Sequence, residues 1–210
     1  MNPEEIVLKL ITIGIFLGIA FPIHEFAHAA VAYMRGDATA KLFGRMTLNQ
    51  IVHFDTVGGL MVVISVFLTG FLFGWAKPTP VNTANLRDLR NDEVLVALAG
   101  PGSNLVMALI GAFVVRLLIA VGIDVPNLVA VVLVNFVVFN VLLAVFNLIP
   151  VPPLDGSTLL FRFLPLQTAW RIRPMLAQYG MFIVLAVVIL GGSLLSSVVY
   201  GVAFALMGFN

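Results

Sequence analysis

The sequence predicts an all-α polytopic membrane protein. Hydrophobic residues make up 61% of the 210 residues and charged residues only 10%, and the mean hydropathy is +1.11. Such a composition is typical of membrane proteins rather than soluble domains. Four apolar stretches are long enough for bilayer-crossing helices of about 20 residues: Ile6 to Met34, Val94 to Val121, Leu128 to Asn147, and one from Tyr179 past Leu190. We expect one integral-membrane domain over residues 1–210.

The first apolar stretch contains the sequence His24-Glu25-Phe26-Ala27-His28. On a helix His24 and His28 share one face, so their imidazoles can bind one metal ion, and Glu25 can take a proton from a metal-bound water. Zinc bound in this way needs at least one more protein ligand. The pattern also arises by chance in soluble helices, but ionisable side chains at bilayer depth are costly and usually functional. The motif therefore predicts a zinc site within the membrane.

Asp155 is the best candidate for the third ligand. It must come from the same depth as His24, and the chain has only three histidines and four glutamates. Prolines at positions 150, 152 and 153 should end the third apolar helix near Asn147 and lead an extended chain to Asp155. The alternative is that Asp155 is only a turn residue before a glycine.

The position of Asp155 constrains the topology. It reaches the first helix only if the third apolar stretch runs in the same direction as the first. A shorter, glycine-punctuated stretch at about 58–73 should then enter the membrane and return as a re-entrant segment. This arrangement leaves a three-helix catalytic core and collects nine of the eleven basic residues on one side: Arg35, Lys41, Arg45, Lys77, Arg87, Arg90, Arg162, Arg171 and Arg173. The bias predicts a multi-pass cell-membrane protein whose N-terminus is external and whose active site faces the cytoplasm.

The remaining elements surround this core. Short alternating patches over about 38–54 are compatible with a small β-hairpin, whose edge could receive an unwound substrate segment. Gly191-Gly192 divides the C-terminal apolar region, so we expect one or two helices there.

His53 and Asp55 form either a second metal-binding or gating element or, as capping preferences favour, polar residues at a helix start. We assign Gly100-Pro101-Gly102 with Asn104 to close packing and to the start of a helix rather than to chemistry.

Composition excludes some partners and sites. The net charge of +1 gives no reason to expect nucleic acid as a partner. The chain has no cysteine, which excludes disulfides and thiolate metal ligands.

Several motifs occur together in a fixed order. They are His24-Glu25-Phe26-Ala27-His28, Ala99-Gly100-Pro101-Gly102-Ser103-Asn104, and Asn147-Leu148-Ile149-Pro150 leading to Leu154-Asp155-Gly156. With them the chain resembles the site-2 protease family of intramembrane zinc metalloproteases. It is most similar to the short group of that family, whose features appear as Phe43-Gly44-Arg45-Met46-Thr47-Leu48-Asn49, His53-Phe54-Asp55 and Phe73-Gly74-Trp75-Ala76-Lys77-Pro78-Thr79-Pro80-Val81-Asn82. Gln50 and Thr56 depart from that group, where proline is usual.

The resemblance implies a function and a set of site residues. The function is hydrolysis of peptide bonds within or next to transmembrane segments of membrane-protein substrates, by one metalloprotease domain in the lipid bilayer with one zinc ion per chain. The implied zinc ligands are His24, His28 and Asp155. Glu25 would be the catalytic acid/base, and Asn147 would hold the substrate strand or the oxyanion. From chemistry alone, Asn147 could equally cap a helix end or form an interhelical hydrogen bond.

Two other classes of function are compatible with a histidine pair in a membrane. A zinc or proton transporter could use it for translocation, but such proteins typically show duplicated halves, and the motif has no second copy here. An inactive relative could bind transmembrane clients without cutting them. A binding protein has no chemical need for Glu25, so its presence favours the enzyme.

Overall fold

The computed structural model describes residues 3–69, 74 and 77–209, and within these ranges it is helical, with no strand. The helices are α1 (Pro3–Ile15), α2 (Phe21–Met34), α3 (Thr39–Leu42), α4 (Gln50–His53), α5 (Thr56–Thr69), α6 (Leu89–Val121), α7 (Asn127–Asn147), α8 (Gly156–Phe163) and α9 (Leu166–Met207). Four spans among the described residues are long and apolar enough to cross a membrane: Glu5–Met34, Leu89–Val121, Asn127–Asn147 and Leu166–Met207.

A π-helical turn, Phe16–Ala20, joins α1 to α2 without a break. Pro22 explains this turn because it has no N–H to donate to the carbonyl of Gly18, and its ring crowds that carbonyl. The backbone widens instead, and the N–H of Phe21 donates to the carbonyl of Phe16, five residues earlier. The helix thus accommodates the proline two residues before the first histidine.

Contacts between the long helices fix their directions. His28, late in α2, contacts Val96, early in α6, whereas Ala20 contacts Asn104 further along α6. The helices α2 and α6 are therefore antiparallel. Asn104 likewise contacts Asn140 of α7, and Gly111 lies against residues earlier in α7, so α6 and α7 are also antiparallel. Consequently α2 and α7 run in the same direction, as the position of Asp155 requires.

Small and β-branched side chains fill the two main clusters of buried residues. One cluster joins α6, α7 and α9 through Ala108, Ala112, Val115, Val137, Val138, Val141, Val199, Ala203 and Met207. The other joins α1, the π-helical turn, α5 and α7 through Ile13, Phe16, Ala20, Val62, Val66 and Leu143. Alanine and valine allow close approach of helix backbones, which is how helices associate in a membrane.

The region expected to form a small β-hairpin, about 38–54, forms two short helices instead. Oδ1 of Asp37 accepts the N–H of Thr39 at 3.0 Å at the start of α3. Oδ1 of Asn49 accepts the N–H of Ile51 at 3.1 Å and caps α4. Gly44, between the two helices, has a φ of +67°, a left-handed conformation that favours glycine. Local capping bonds therefore outweigh the weak alternation of the sequence, and the expectation of a hairpin is wrong.

Backbone contacts bring the two ends of residues 53–77 together. The N–H of Lys77 donates to the carbonyl of His53 at 3.0 Å. Gly74 lies against α5, since a Cβ there would come within 2.3 Å of the Val62 side chain and 2.4 Å of the Gly58 carbonyl. Between these points α5 has 14 residues, or about 21 Å of helix. Part of the expected re-entrant segment, residues 70–73, lies outside the described residues.

The C-terminal region forms one helix, α9, of 42 residues. Gly191-Gly192 does not interrupt it, so the alternative of two helices is wrong. At its C-terminus Arg116 donates from Nε to the carbonyl of Leu206 at 2.5 Å and from an Nη atom to that of Ala205 at 2.8 Å. These bonds satisfy carbonyls that a helix end leaves without partners.

Candidate metal centre

Two histidines of α2 meet the aspartate that precedes α8. The Nε2 atoms of His24 and His28 lie 3.1 Å apart, and Oδ2 of Asp155 lies 3.3 Å from the first and 3.4 Å from the second. Both histidines are buried and Asp155 is partly buried. One turn of helix separates the histidines, and the proline-rich loop after α7 brings Asp155 to them. The three side chains predicted as metal ligands therefore form one cluster.

The spacing of the three atoms fits a zinc ion. Ligand atoms bound at 2.0–2.1 Å to one tetrahedral zinc lie about 3.3–3.4 Å from each other. The three separations in the cluster range from 3.1 to 3.4 Å. Oδ2 of Asp155 is also buried and has no hydrogen-bond partner in the part of the chain that the structure describes, which is unfavourable for a carboxylate oxygen unless a cation compensates it. Two imidazoles and a carboxylate are also donors that zinc commonly takes.

Each histidine is oriented by its second nitrogen. Nδ1 of His24 donates to Oδ1 of Asn104 at 2.7 Å, and Nδ1 of His28 donates to the backbone carbonyl of Val96 at 2.7 Å. Both acceptors lie on α6. Because they take the Nδ1 hydrogens, the neutral imidazoles carry lone pairs on Nε2, the atoms that face Asp155. The contacts therefore select the tautomer that metal binding requires.

Asn104 belongs to a buried chain of amides. Its Nδ2 donates to Oδ1 of Asn140 at 3.0 Å and to the carbonyl of Ala20 at 3.2 Å, and Nδ2 of Asn140 donates to the carbonyl of Phe136 at 2.9 Å. Both asparagines are 0% exposed. The sequence assigned Asn104 to packing and did not predict its bond to His24. The signal for such a bond is an amide side chain in the middle of an apolar helix, where it needs a polar partner.

Gly100 provides the space that the two imidazoles occupy. A Cβ at this position would come within 2.3 Å of Nε2 of His28 and 2.6 Å of Cε1 of His24. These separations are far shorter than any ordinary van der Waals contact, so no larger residue fits without displacing the rings. The assignment of this motif to close packing is consistent with the structure at Gly100.

Glu25 is buried beside the cluster and is bound by Thr79. Its Oε2 accepts the Thr79 N–H at 2.8 Å and the Thr79 hydroxyl at 2.6 Å. The hydroxyl also lies 3.1 Å from the Glu25 carbonyl oxygen. Sequence reasoning did not identify Thr79, because nothing in its local pattern reports a contact with a residue 54 positions away.

Asn147 lies at the same cavity as the metal cluster. The cavity has a volume of about 280 Å³, and its lining includes Glu25, Glu93, Asn147 and Thr158 together with the three cluster residues. Nδ2 of Asn147 donates to the carbonyl of Leu143 on its own helix at 3.0 Å. The other Nδ2 hydrogen is not used by this bond.

His53 and Asp55 lie away from the metal cluster, at a second cavity of about 230 Å³. Oδ1 of Asp55 accepts the N–H groups of Val57 and Gly58 at 3.1 and 2.8 Å, which caps the start of α5. Nε2 of His53 lies 2.9 Å from the carbonyl of Thr47. The interpretation of this pair as polar residues at a helix start is confirmed for Asp55.

Among the described residues outside the membrane-length helices and away from the metal cluster, two carboxyl groups have pKa values below the ordinary value of 3.8. Burial raises the pKa of Asp37, but hydrogen bonds from Thr39, Asn85 and Asn82 outweigh it and lower the pKa. Hydrogen bonds from the backbone and the side chain of Asn91 lower the pKa of Asp88. Both groups are therefore ionised at neutral pH.

The fold and the cluster together define a helical membrane protein with a zinc-type donor set and an adjacent carboxylate. Comparison with known proteins gives the family. A family profile described as Peptidase family M50 matches residues 119–191. The curated protein "Putative zinc metalloprotease YwhC" of Bacillus subtilis (strain 168) is 41% identical over 155 residues, covering 72% of this chain and 68% of the relative. No solved structure matches significantly.

These similarities are sufficient to assign the family. The chain belongs to peptidase family M50, the site-2 protease family of membrane zinc metalloproteases. The resemblance drawn from the sequence motifs is thereby confirmed.

Proposed function

We propose that the protein hydrolyses peptide bonds within or next to transmembrane segments of membrane proteins, in regulated intramembrane proteolysis. The observation that supports this most directly is the cluster of His24, His28 and Asp155 with the Glu25 carboxylate beside it. Both histidines lie on a helix of membrane length, Asp155 lies in the loop that follows another, and the donor set fits one zinc ion per chain. A hydrolytic centre at such a position is suited to substrates that are themselves in the bilayer.

Each site residue has a role that follows from its contacts. His24, His28 and Asp155 would hold zinc, which when bound lowers the pKa of a bound water to about 7 and polarises the scissile carbonyl. Glu25 would accept a proton from the attacking water and deliver it to the leaving nitrogen as general acid/base. Asn147 would donate its remaining Nδ2 hydrogen to the developing oxyanion.

The cavity supports hydrolysis because it is lined by polar side chains at a depth where bulk water is scarce. Carboxylates at Glu25, Glu93 and Asp155, with the amide of Asn147, provide partners for water. Non-helical backbone, such as the loop before Asp155, is tolerated at membrane depth where it lines a wet cavity or is enclosed by protein.

The re-entrant arrangement and the orientation are part of the same proposal. The bond between Lys77 and His53 supports a segment that enters and leaves the membrane on one side. The length of α5, about 21 Å, is short of the 30 Å or so of a hydrocarbon core. With this topology nine of the eleven basic residues share the side of the active site, which would face the cytoplasm.

Replacement of Glu25 by glutamine tests the chemistry. We expect Glu25→Gln to retain about one zinc per chain, because the three ligands are unchanged, and to lose cleavage of a panel of epitope-tagged single-span membrane proteins. Asp155→Ala, measured alongside, should lose most of its zinc. Cleavage by Glu25→Gln at the parent rate would overturn the proposal.

A further inference from the structure

We infer that Thr79 is a positioning residue for Glu25, and that the segment Lys77 to Asn82 fixes the carboxylate in the orientation needed for proton transfer. The inference rests on the proposed function. Its basis is the pair of hydrogen bonds from Thr79, one from the backbone N–H and one from the hydroxyl, that converge on Oε2 of Glu25 at 2.8 and 2.6 Å.

The two bonds from Thr79 give the two oxygens of the Glu25 carboxylate different roles. Both donors act on Oε2, and none of the described residues donates a hydrogen bond to Oε1. A general base needs one oxygen within reach of the proton that it accepts and a side chain that does not rotate away. Thr79 holds Oε2 and so leaves Oε1 for the attacking water.

The local sequence makes Thr79 the donor at this point. It lies between Pro78 and Pro80, neither of which has a backbone N–H. Pro80 also restricts Thr79 to extended conformations, and both prolines limit the rotation of the chain around it. The N–H of Thr79 is therefore the single backbone donor of the triplet, and it points to Glu25.

Both ends of the segment are fixed to other parts of the protein. At one end the N–H of Lys77 donates to the carbonyl of His53 at 3.0 Å. At the other end the N–H of Asn82 donates to Oδ2 of Asp37 at 2.7 Å. Asp37 closely follows α2, the helix that carries Glu25. Asp37 therefore fixes the position of the segment relative to α2, the helix that also carries the Glu25 carboxylate.

Asp37 is suited to this anchoring role. It is 0% exposed, and besides the bond from Asn82 it accepts hydrogen bonds from Asn85 Nδ2 at 2.9 Å and from the hydroxyl and N–H of Thr39. A buried carboxylate with this number of donors has one stable orientation. The connection from α2 through Asp37 to the segment is therefore rigid enough to orient the Glu25 side chain.

A pair of substitutions at Thr79 separates positioning from packing. Thr79→Val keeps the shape and the backbone N–H and removes the hydroxyl donor, whereas Thr79→Ser keeps the donor and removes the methyl group. We expect Thr79→Val to lower kcat about tenfold or more with KM within about twofold of the parent, since a hydrogen bond to a charged group is lost. We expect Thr79→Ser to restore kcat to within about twofold.

The measurements are kinetics on a tagged single-span substrate that the parent cleaves, together with zinc content and thermal stability of each variant. The matched control is Thr56→Val, the same change at an exposed threonine of α5 that forms no hydrogen bond with a site residue in the described part of the chain. It should leave kcat unchanged. Zinc content should be equal in parent, Thr79→Val and Thr79→Ser.

Three results would overturn the inference. They are parent kcat in Thr79→Val, equal losses in the valine and serine variants, and loss of zinc or of thermal stability that accounts for the fall in kcat. Failure of the proposed function gives a different result, because the parent itself would then cleave none of the substrates.

Discussion

Oδ1 of Asn104 accepts a hydrogen bond from Nδ1 of His24 at 2.7 Å, across 80 positions of the chain. The bond joins α6 to α2 at a point from which solvent is excluded, and it determines which nitrogen of His24 can bind a metal. Asn104 is itself held by Asn140 and by the carbonyl of Ala20. The orientation of one ligand is thus set by three helices.

Removal of the Asn104 amide should weaken zinc binding. We expect Asn104→Ala to lower zinc affinity by about 10–100-fold, the usual loss when the partner of a ligating histidine is removed. Competition with a chromophoric chelator measures the affinity. Ser103→Ala is the control, because among the described residues the Ser103 hydroxyl donates to the carbonyl of Gly100 on its own helix and to no ligand. The zinc affinity of this variant should match that of the parent. Equal affinity in Asn104→Ala and the parent would contradict the role given to Asn104.

Gly100 should not tolerate even alanine. A methyl group there would lie 2.3 Å from Nε2 of His28, so we expect Gly100→Ala to lose zinc and proteolysis together. Gly102→Ala on the same helix should keep both, because beyond the local helix backbone no atom of the described residues lies within 4 Å of the added carbon. Alanine at position 102 should also stabilise the helix by about 0.5–1 kcal/mol. Metal analysis of the two purified variants checks this, and normal zinc in Gly100→Ala would refute it.

The buried carboxylate of Asp37 should make the free energy of unfolding depend on pH in the acidic range. Its pKa is lowered in the folded protein, so its contribution is fully present above the unfolded value of 3.8 and is lost as the pH falls through the lower folded pKa. We expect Asp37→Asn to lower the thermal inactivation midpoint at pH 7. The gap between variant and parent should stay constant down to about pH 5 and narrow below 3.8. A gap that does not change with pH would show that ionisation of Asp37 is not involved.

Metal removal should destabilise the parent. Without a cation, Oδ2 of Asp155 is a buried oxygen with no hydrogen-bond partner among the described residues. A ligand that binds only the folded state stabilises it by mass action, so zinc at a free concentration of 100 times Kd should raise the free energy of unfolding by about 2.7 kcal/mol. We expect a chelator to lower the thermal midpoint of the parent and to leave that of Asp155→Ala almost unchanged. An equal chelator effect on both proteins would place the stabilising metal elsewhere.

The three candidate metal ligands could be predicted from the sequence, whereas the residues that orient them could not. The four-residue spacing of His24 and His28 in an apolar helix is a local signal, and the prolines before Asp155 predict the end of α7 near Asn147. The expectation of an extended chain from there to Asp155 is wrong, because residues 148–155 form turns, with the N–H of Leu154 donating to the carbonyl of Val151. Asn104 and Thr79 act through contacts that form only when α6 crosses α2 and when the loop after residue 77 returns to Glu25. Such contacts depend on tertiary packing, which local patterns do not record.

The wrong hairpin and the rejected second C-terminal helix both have physical causes. The hairpin is wrong because side chains bond to the backbone at the start of each short helix. Asn49 caps α4, an interaction worth about 1 kcal/mol, and Asp37, which precedes the first residue of α3 by two positions, accepts the N–H of Thr39. A break at Gly191-Gly192 is absent because glycine costs only about 1 kcal/mol per residue in a helix. Packing around the buried Gly192 and through Val199 and Ala203 compensates for that cost.

The hydrogen bond between Lys77 and His53 joins the start of the Thr79 segment to the residue that ends α4. The helix α5, which lies between these two residues in the chain, packs through Val62 and Val66 against α1, the π-helical turn and α7, so its composition is constrained. The entropic cost of lengthening the chain between α5 and Lys77 is small, about 0.6 kcal/mol for each doubling. Engineered versions with an insertion there should therefore keep Thr79 at the same distance from Glu25.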